Sequence, residues 1–182
     1  MTRPTIEVFD PAQHPPSLLR DFRNQEDSLV RYLQRYARQN VERHKLNQTF
    51  LAVDRSAGTP RVAGYFTLAI CSVEAEPARR ALEVLRRLPG YPIPALLLAQ
   101  LAVDERAQGQ GLGTYLVDEA LLRTLRVIKS GQIPVRLFIT DALTEAAVAF
   151  YEKYGMVRIS EGYPARMVQD LKPYLDRLDE WV

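Results

Sequence analysis

The chain has 182 residues, 47% of them hydrophobic and 25% charged, with a formal net charge of +2. This length suits one domain, 1–182, with a sizeable core, and the composition excludes a disordered or fibrous chain. The charge is too slight to argue nucleic-acid binding by itself, a single cysteine, Cys71, excludes an internal disulfide framework, and no apolar stretch reaches the roughly 18 residues of a membrane span. The opening MTRPTIEVFDP holds no apolar run, so no secretory leader is expected and a cytoplasmic setting fits.

Residues 1–21 hold four of the twelve prolines and read as a short strand and a loop. Between Ser28 and His44, Leu29, Tyr32, Leu33, Tyr36, Ala37 and Val41 recur every three or four residues. That spacing predicts a helix with one buried face, capped by Ser28. Arg31, Arg35, Arg38 and Arg43 dot its other side. QTFLAVD (48–54) and RVAGYFTLAIC (61–71) read as an antiparallel hairpin across the turn 56–60. Residues 76–88 read as a helix carrying Arg79, Arg80, Arg86 and Arg87. PGYPIP (89–94) is rigid, because proline fixes φ and removes a donor. ALLLAQLAV (95–103) is apolar enough for a central strand buried on both faces. A helix over 112–128, a strand VRLFIT (135–140) and a helix 144–154 ending at Gly155 follow. The tail offers one or two short strands, and residues 173–181 a last helix. The order implies an α/β (α+β) fold, a central mixed sheet with helices on both faces.

The segment RAQGQGLGTYL (106–116) follows a strand and opens a helix. A helix N-terminus exposes unpaired N–H groups and partial positive charge. Glycines at 109, 111 and 113 let a ligand approach the backbone, so the segment reads as a phosphate cradle. A P-loop fails, because no lysine follows Gly111 or Gly113. A dinucleotide fingerprint fits poorly, because the third glycine falls at 113 and the loop lies past the chain's midpoint. A glycine-rich turn without a ligand stays open on these residues alone.

Arg106-x-x-Gly109-x-Gly111, flanked by LLLAQLAVD and LGTYLVDEALL, resembles the coenzyme A pyrophosphate loop of the Gcn5-related N-acetyltransferase (GNAT) family. TEAAVAFYEKYGM (144–156) is similar to a second segment of that family: Ala147, Phe150, Tyr151 and Gly155 match, with Thr144 in place of Asn and Met156 in place of Phe. The resemblance implies the GNAT fold with a cofactor-binding core over about 95–160, and acetyl-CoA as cofactor. It implies cofactor contacts at Leu101, Val103, Arg106, Gln108, Gly109, Gly111, Leu112, Gly113, Thr144 and Phe150. The oxyanion donor would be an amide near Val103, and Tyr151 the proton donor to the departing thiolate. Tyr154 reads as packing.

No residue stands out as a general base. His14 and His44 read as surface histidines, and Asp104 and Glu105 could cap the turn. An α-amine, with a reference pKa of about 7.7–8.0 against about 10.4 for lysine, needs none. Segment 22–40 shares Phe22, Leu29, Tyr32, Leu33, Ala37 and Asn40 with toxin-type acetyltransferases, and RRLPGYPIPALLLAQLAVD resembles a further block of that branch, with Gln100 in place of Arg. This likeness implies acetylation of aminoacyl-tRNA, arrested translation, a ribbon-helix-helix antitoxin and a homodimer. It gives Arg79, Arg80, Arg86 and Arg87 the task of holding tRNA phosphates. A housekeeping acetyltransferase acting on a small amine, polyamine or protein N-terminus, and a CoA-binding module without turnover, are the alternatives.

Overall fold

The computed structural model describes residues 3–177. Among these residues seven strands form one mixed sheet in the order β1-β2-β3-β4-β5-β7-β6. They are β1 (Thr5–Val8), β2 (Gln48–Asp54), β3 (Arg61–Val73), β4 (Ile93–Val103), β5 (Leu137–Ala142), β6 (Val157–Arg158) and β7 (Ala165–Asp170). The helices are α1 (Pro16–Arg20), α2 (Asp27–Arg31), α3 (Ala37–Gln39), α4 (Ala75–Ala81), α5 (Leu112–Lys129), α6 (Glu145–Glu152) and α7 (Lys172–Leu175). The chain forms two compact units, Met1–Ala69 with Ala99–Ala120, and Ile70–Leu98 with Leu121–Val182.

In the first unit, β1 and β2 pair antiparallel, as do β2 and β3. The alternation of β2 sends Leu51 and Val53 to one face, where they meet Phe9, Phe22, Leu33, Ala37 and Tyr65. The expected helix 28–44 packs there, but it starts at Asp27 with Glu26 as its cap residue, not Ser28. The Asn24 side chain accepts from the Glu26 amide at 2.9 Å and sets that start. The run is not a plain α-helix: π-helical turns at Tyr32–Tyr36 and Asn40–His44 flank α3. The wider turns move Tyr36 off the packed face, leaving it 46% exposed against expectation.

A bulge interrupts the β2–β3 ladder, where Ala52 pairs Gly64 and Val53 pairs Val62. The extra residue, Ala63, points its carbonyl at the Asp104 amide, 2.9 Å away. Gly64 then faces α5 so closely that a Cβ there would lie 2.9 Å from Leu116 Cδ1 and 3.0 Å from the Ala102 carbonyl oxygen. His14 is buried, not a surface histidine: Nε2 lies 3.0 Å from Glu7 Oε2, and Nδ1 lies 3.0 Å from the Asp10 backbone nitrogen.

In the second unit, β4 runs parallel to β5 from Ala95–Leu137 to Leu98–Thr140, and β5 pairs antiparallel with β7. Leu137 and Ile139 point to one face, against Ala75 and Ala78 of α4, while Thr140 points to the other and meets α6. The expected helix 76–88 is shorter. α4 ends at Ala81 and a 3-10 turn spans Glu83–Leu85, so Arg86 and Arg87 lie in irregular chain before the prolines. β4 starts at Ile93, inside the segment expected to be a rigid turn, and β5 lies two residues later than expected. α7 covers the start of the expected last helix, whose residues 178–181 lie outside those described.

Candidate active site

The glycine loop belongs to the first unit and is braced from below. β4 delivers Asp104, whose side chain is fully buried. Its carboxylate accepts from the Arg106 amide at 3.0 Å, Arg106 Nε at 2.7 Å and the Arg23 amide at 3.0 Å. Burial by itself raises such a carboxyl. Here the Arg106 side chain, the two amides and the Arg106 charge outweigh burial and hold Asp104 below the usual carboxylate range. Arg106 also donates to Asp21, through Nη1 at 2.8 Å to the carboxylate and through Nη2 at 2.9 Å to the carbonyl. Its guanidinium thus faces the protein and ties the 3-10 turn Glu105–Ala107 to residues 21–23. Arg106 is among the cofactor contacts that the family resemblance implies, and nothing in its sequence neighbourhood signals this brace.

Above the brace the backbone turns through Gly109 and Gly111, with φ of 73° and 76°. A Cβ at either would meet nothing within 4 Å, so the left-handed backbone, not crowding, demands glycine there. Gly113 is already helical, in the first turn of the 18-residue α5. That turn contains no acidic residue to offset the partial positive charge of the helix start. The Val103 carbonyl is occupied: it accepts from Asn24 Nδ2 at 2.9 Å and from Gln108 Nε2 at 3.2 Å. Leu101 and Val103 are half-buried and Leu112 is buried.

In the second unit, Tyr151 is buried on α6. Its phenol hydrogen-bonds the Thr140 hydroxyl, and Thr140 Oγ1 donates to the Leu98 carbonyl at 2.9 Å. With the Thr140 proton given to Leu98, the Thr140 oxygen accepts from Tyr151. Burial pushes Tyr151 up to about 12, so the phenol keeps its proton throughout the physiological range. Thr144 caps α6, accepting from the Ala147 amide at 3.2 Å. Phe150 is half-buried, edge-on to both Tyr151 and Tyr154. The helix is shorter than the expected 144–154: it ends at Glu152 with Lys153 as its cap residue, and Gly155 follows in the turn beyond, with φ of 74°. Thr140 was not legible as a functional residue, since one threonine in an apolar strand carries no signal by itself.

Arg80 on α4 pairs with Glu76 at 2.9 Å, and Arg86 pairs with Glu83 at 3.4 Å; both pairs are exposed. Arg79 is half-buried, and Arg87 is exposed. Exposed pairs of this kind contribute at most about 1 kcal/mol, so a phosphate can take over either arginine. Cys71 is half-buried, and burial pushes its thiol up, against thiolate chemistry. Among the described residues no three His, Cys, Asp or Glu side chains converge to hold a metal, and no helix is long and apolar enough to cross a membrane.

Residues 46–157 match the family model described as acetyltransferase (GNAT) domain. A curated protein of Mycobacterium tuberculosis named tRNA-acetylating toxin is 40% identical over 91 residues, 50% of this chain and 52% of the relative. The match thus spans about half the length of that relative. Among solved structures, AtaT complexed with acetyl-methionyl-tRNAfMet is 26% identical at a TM-score of 0.77, covering 93% of this chain and 96% of that one. A tyrosine-to-phenylalanine mutant of KacT shares the fold, at 23% identity and a TM-score of 0.80, covering 97% of this chain and 99% of that one.

Proposed function

This chain belongs to the acetyltransferase (GNAT) family, and we propose on that premise that it moves an acetyl group from acetyl-CoA to the α-amine of aminoacyl-tRNA. The observation that carries the donor half is the braced loop, where two left-handed glycines open onto the first amides of an 18-residue helix. Backbone amides fixed in that way fit a diphosphate without any side-chain cation. Bound acetyl-CoA supplies the activated acetyl thioester. The amides of Gly109, Gly111, Leu112 and Gly113 hold its diphosphate, and Gln108 steadies the loop through Val103. The backbone of Leu101 and Val103 would align the arm, and an N–H near Val103 would serve as the oxyanion donor. Thr144 and Phe150 shape the start and flank of the helix that carries Tyr151.

Tyr151 holds a proton at Oη and releases it as the sulfur departs. Against a free thiol at about 8.5, a phenol at about 12 makes complete transfer uphill by roughly 5 kcal/mol. The gap is wider than model-compound values suggest. It narrows where the same dry surroundings raise the thiol too. Asp104 is not available as a base, because it is buried beneath Arg106. That favours an acceptor already partly neutral: about a tenth of an α-amine lacks its extra proton at pH 7.

The acceptor half is supported by the curated relative's name and by four arginines, Arg79, Arg80, Arg86 and Arg87, within nine residues. The same reading makes the chain a cytoplasmic toxin that arrests translation, held in check by a ribbon-helix-helix antitoxin and acting as a homodimer. Incubation with radiolabelled acetyl-CoA and total tRNA, charged and deacylated, tests it. Label is expected in the charged pool alone. Label passing to polyamines or peptides and not to charged tRNA would assign a small-amine acetyltransferase instead.

A further inference from the structure

Tyr163 lies in the loop joining β6 to β7, and the residue is 48% exposed. An exposed aromatic on a loop is ordinarily mobile, but this ring is held from two sides. Its hydroxyl donates to the Glu145 carboxylate in the first turn of α6. The Arg158 guanidinium lies 5.1 Å from the ring centroid. Arg158 is fixed in turn, donating through Nε to the Ser160 carbonyl at 2.9 Å and through Nη2 to the Gly162 carbonyl at 2.8 Å. The Ser160 hydroxyl accepts from the Arg166 amide at 2.7 Å, which ties the loop back to β7. Side-chain order is thus maintained around a ring that gains little from burial.

The surroundings suit a nucleotide. Arg158, which covers the ring, also lines an open cleft of about 950 Å³ together with Arg80 of α4, Ile159 and Ser160. Two carboxylates line it as well, Glu161 and Glu76, the latter paired with Arg80. The ring is anchored to the helix that carries Tyr151, six residues or about 9 Å further along its axis. A fixed aromatic face backed by a guanidinium, beside a cleft offering a second arginine, is the arrangement on which unpaired bases stack while their phosphates meet cations. We infer that Tyr163 is a stacking platform for an unpaired base of the RNA acceptor. This rests on the proposed reading that the acceptor amine is carried by tRNA.

The test compares two acceptors, charged tRNA and the methyl ester of the same amino acid, which has the amine but no base. Tyr163→Ala is expected to lower the ratio of kcat/KM for charged tRNA to kcat/KM for the ester by roughly 5- to 100-fold. Tyr163→Phe, which keeps the ring, is expected to restore most of that ratio. An unchanged ratio in Tyr163→Ala, with charged tRNA still acetylated, overturns the platform and leaves the proposed acceptor standing. A wild-type protein that acetylates the ester and never charged tRNA overturns both. An equal fall for the two acceptors returns Tyr163 to a structural role and overturns the platform alone.

Discussion

Thr140 and Asp104 each act through another residue; Thr140 was silent in the sequence, whereas Asp104 was read there as a cap of the turn, which it is. Thr140 accepts from the Tyr151 phenol while donating to Leu98, so it fixes where the phenol proton points. Thr140→Val keeps the shape and removes the acceptor, leaving a buried O–H unsatisfied at about 1–3 kcal/mol. Turnover is expected to fall roughly 10- to 100-fold with acetyl-CoA affinity within about twofold of wild type, and Thr140→Ser to recover most of the rate. Steady-state kinetics beside calorimetry separate these effects, and a matched loss of affinity would argue against a positioning role. Asp104 acts on the loop. Its carboxyl is held below the ordinary value, so its contribution is complete above about pH 4 and is lost as pH falls through the lowered folded value. Asp54, held at about 2 by the Ser56 hydroxyl and amide and then by Arg61, works in the same direction. Thermal melts from pH 7 to pH 2 should therefore show a steep acid loss. Asp104→Asn should lower stability at pH 7 by about 3 kcal/mol and flatten that loss.

At the scale of elements, the turn after β4 separates backbone demand from ligand demand. Gly111 needs its left-handed φ, yet a Cβ there would touch nothing. Gly111→Ala therefore bears only the conformational cost, about 1–2 kcal/mol, and should weaken acetyl-CoA binding about tenfold. Gly111→Glu adds a carboxylate at the mouth of α5 and should weaken it more than about 100-fold at low salt. Calorimetry showing equal losses for the two variants would remove the diphosphate from this loop. The same loop shows which elements a sequence discloses. α5 was legible because one face is apolar at the helical period, β2 because its run of β-formers, buried on both faces, ends at a turn signal, and the glycine spacing marked the turn between β4 and α5. The π-helical turns escaped, since widening a turn leaves the residue pattern almost unchanged and shows only in the exposure of Tyr36. Gly64 escaped because its reason lies across the fold, in Leu116 and the Ala102 carbonyl. The Arg106 brace escaped for the same cause, because its partner Asp21 is 85 residues away.

At the scale of the whole molecule, a formal charge of +2 gives almost no long-range attraction for RNA. Any tRNA affinity must then come from local cation placement, and it should respond to the loss of a few charges more sharply than binding to a strongly basic protein would. Arg86 and Arg87 are the cleanest pair to change, because both are exposed and lie past the 3-10 turn that ends at Leu85, which Arg86 touches with its side chain only through the exposed pair with Glu83. Reversing both as Arg86→Glu with Arg87→Glu removes up to two phosphate contacts and adds repulsion. The slope of log affinity against log salt should become shallower by about 1–2, while acetyl-CoA binding holds, since phosphate contacts set that slope and the glycine loop uses none of these side chains. Filter binding of charged tRNA between about 50 and 200 mM salt reads the slope directly. A parallel drop at every salt concentration would mean that the two arginines shape the chain ahead of β4. An unchanged slope and affinity would move the RNA contacts elsewhere on the surface.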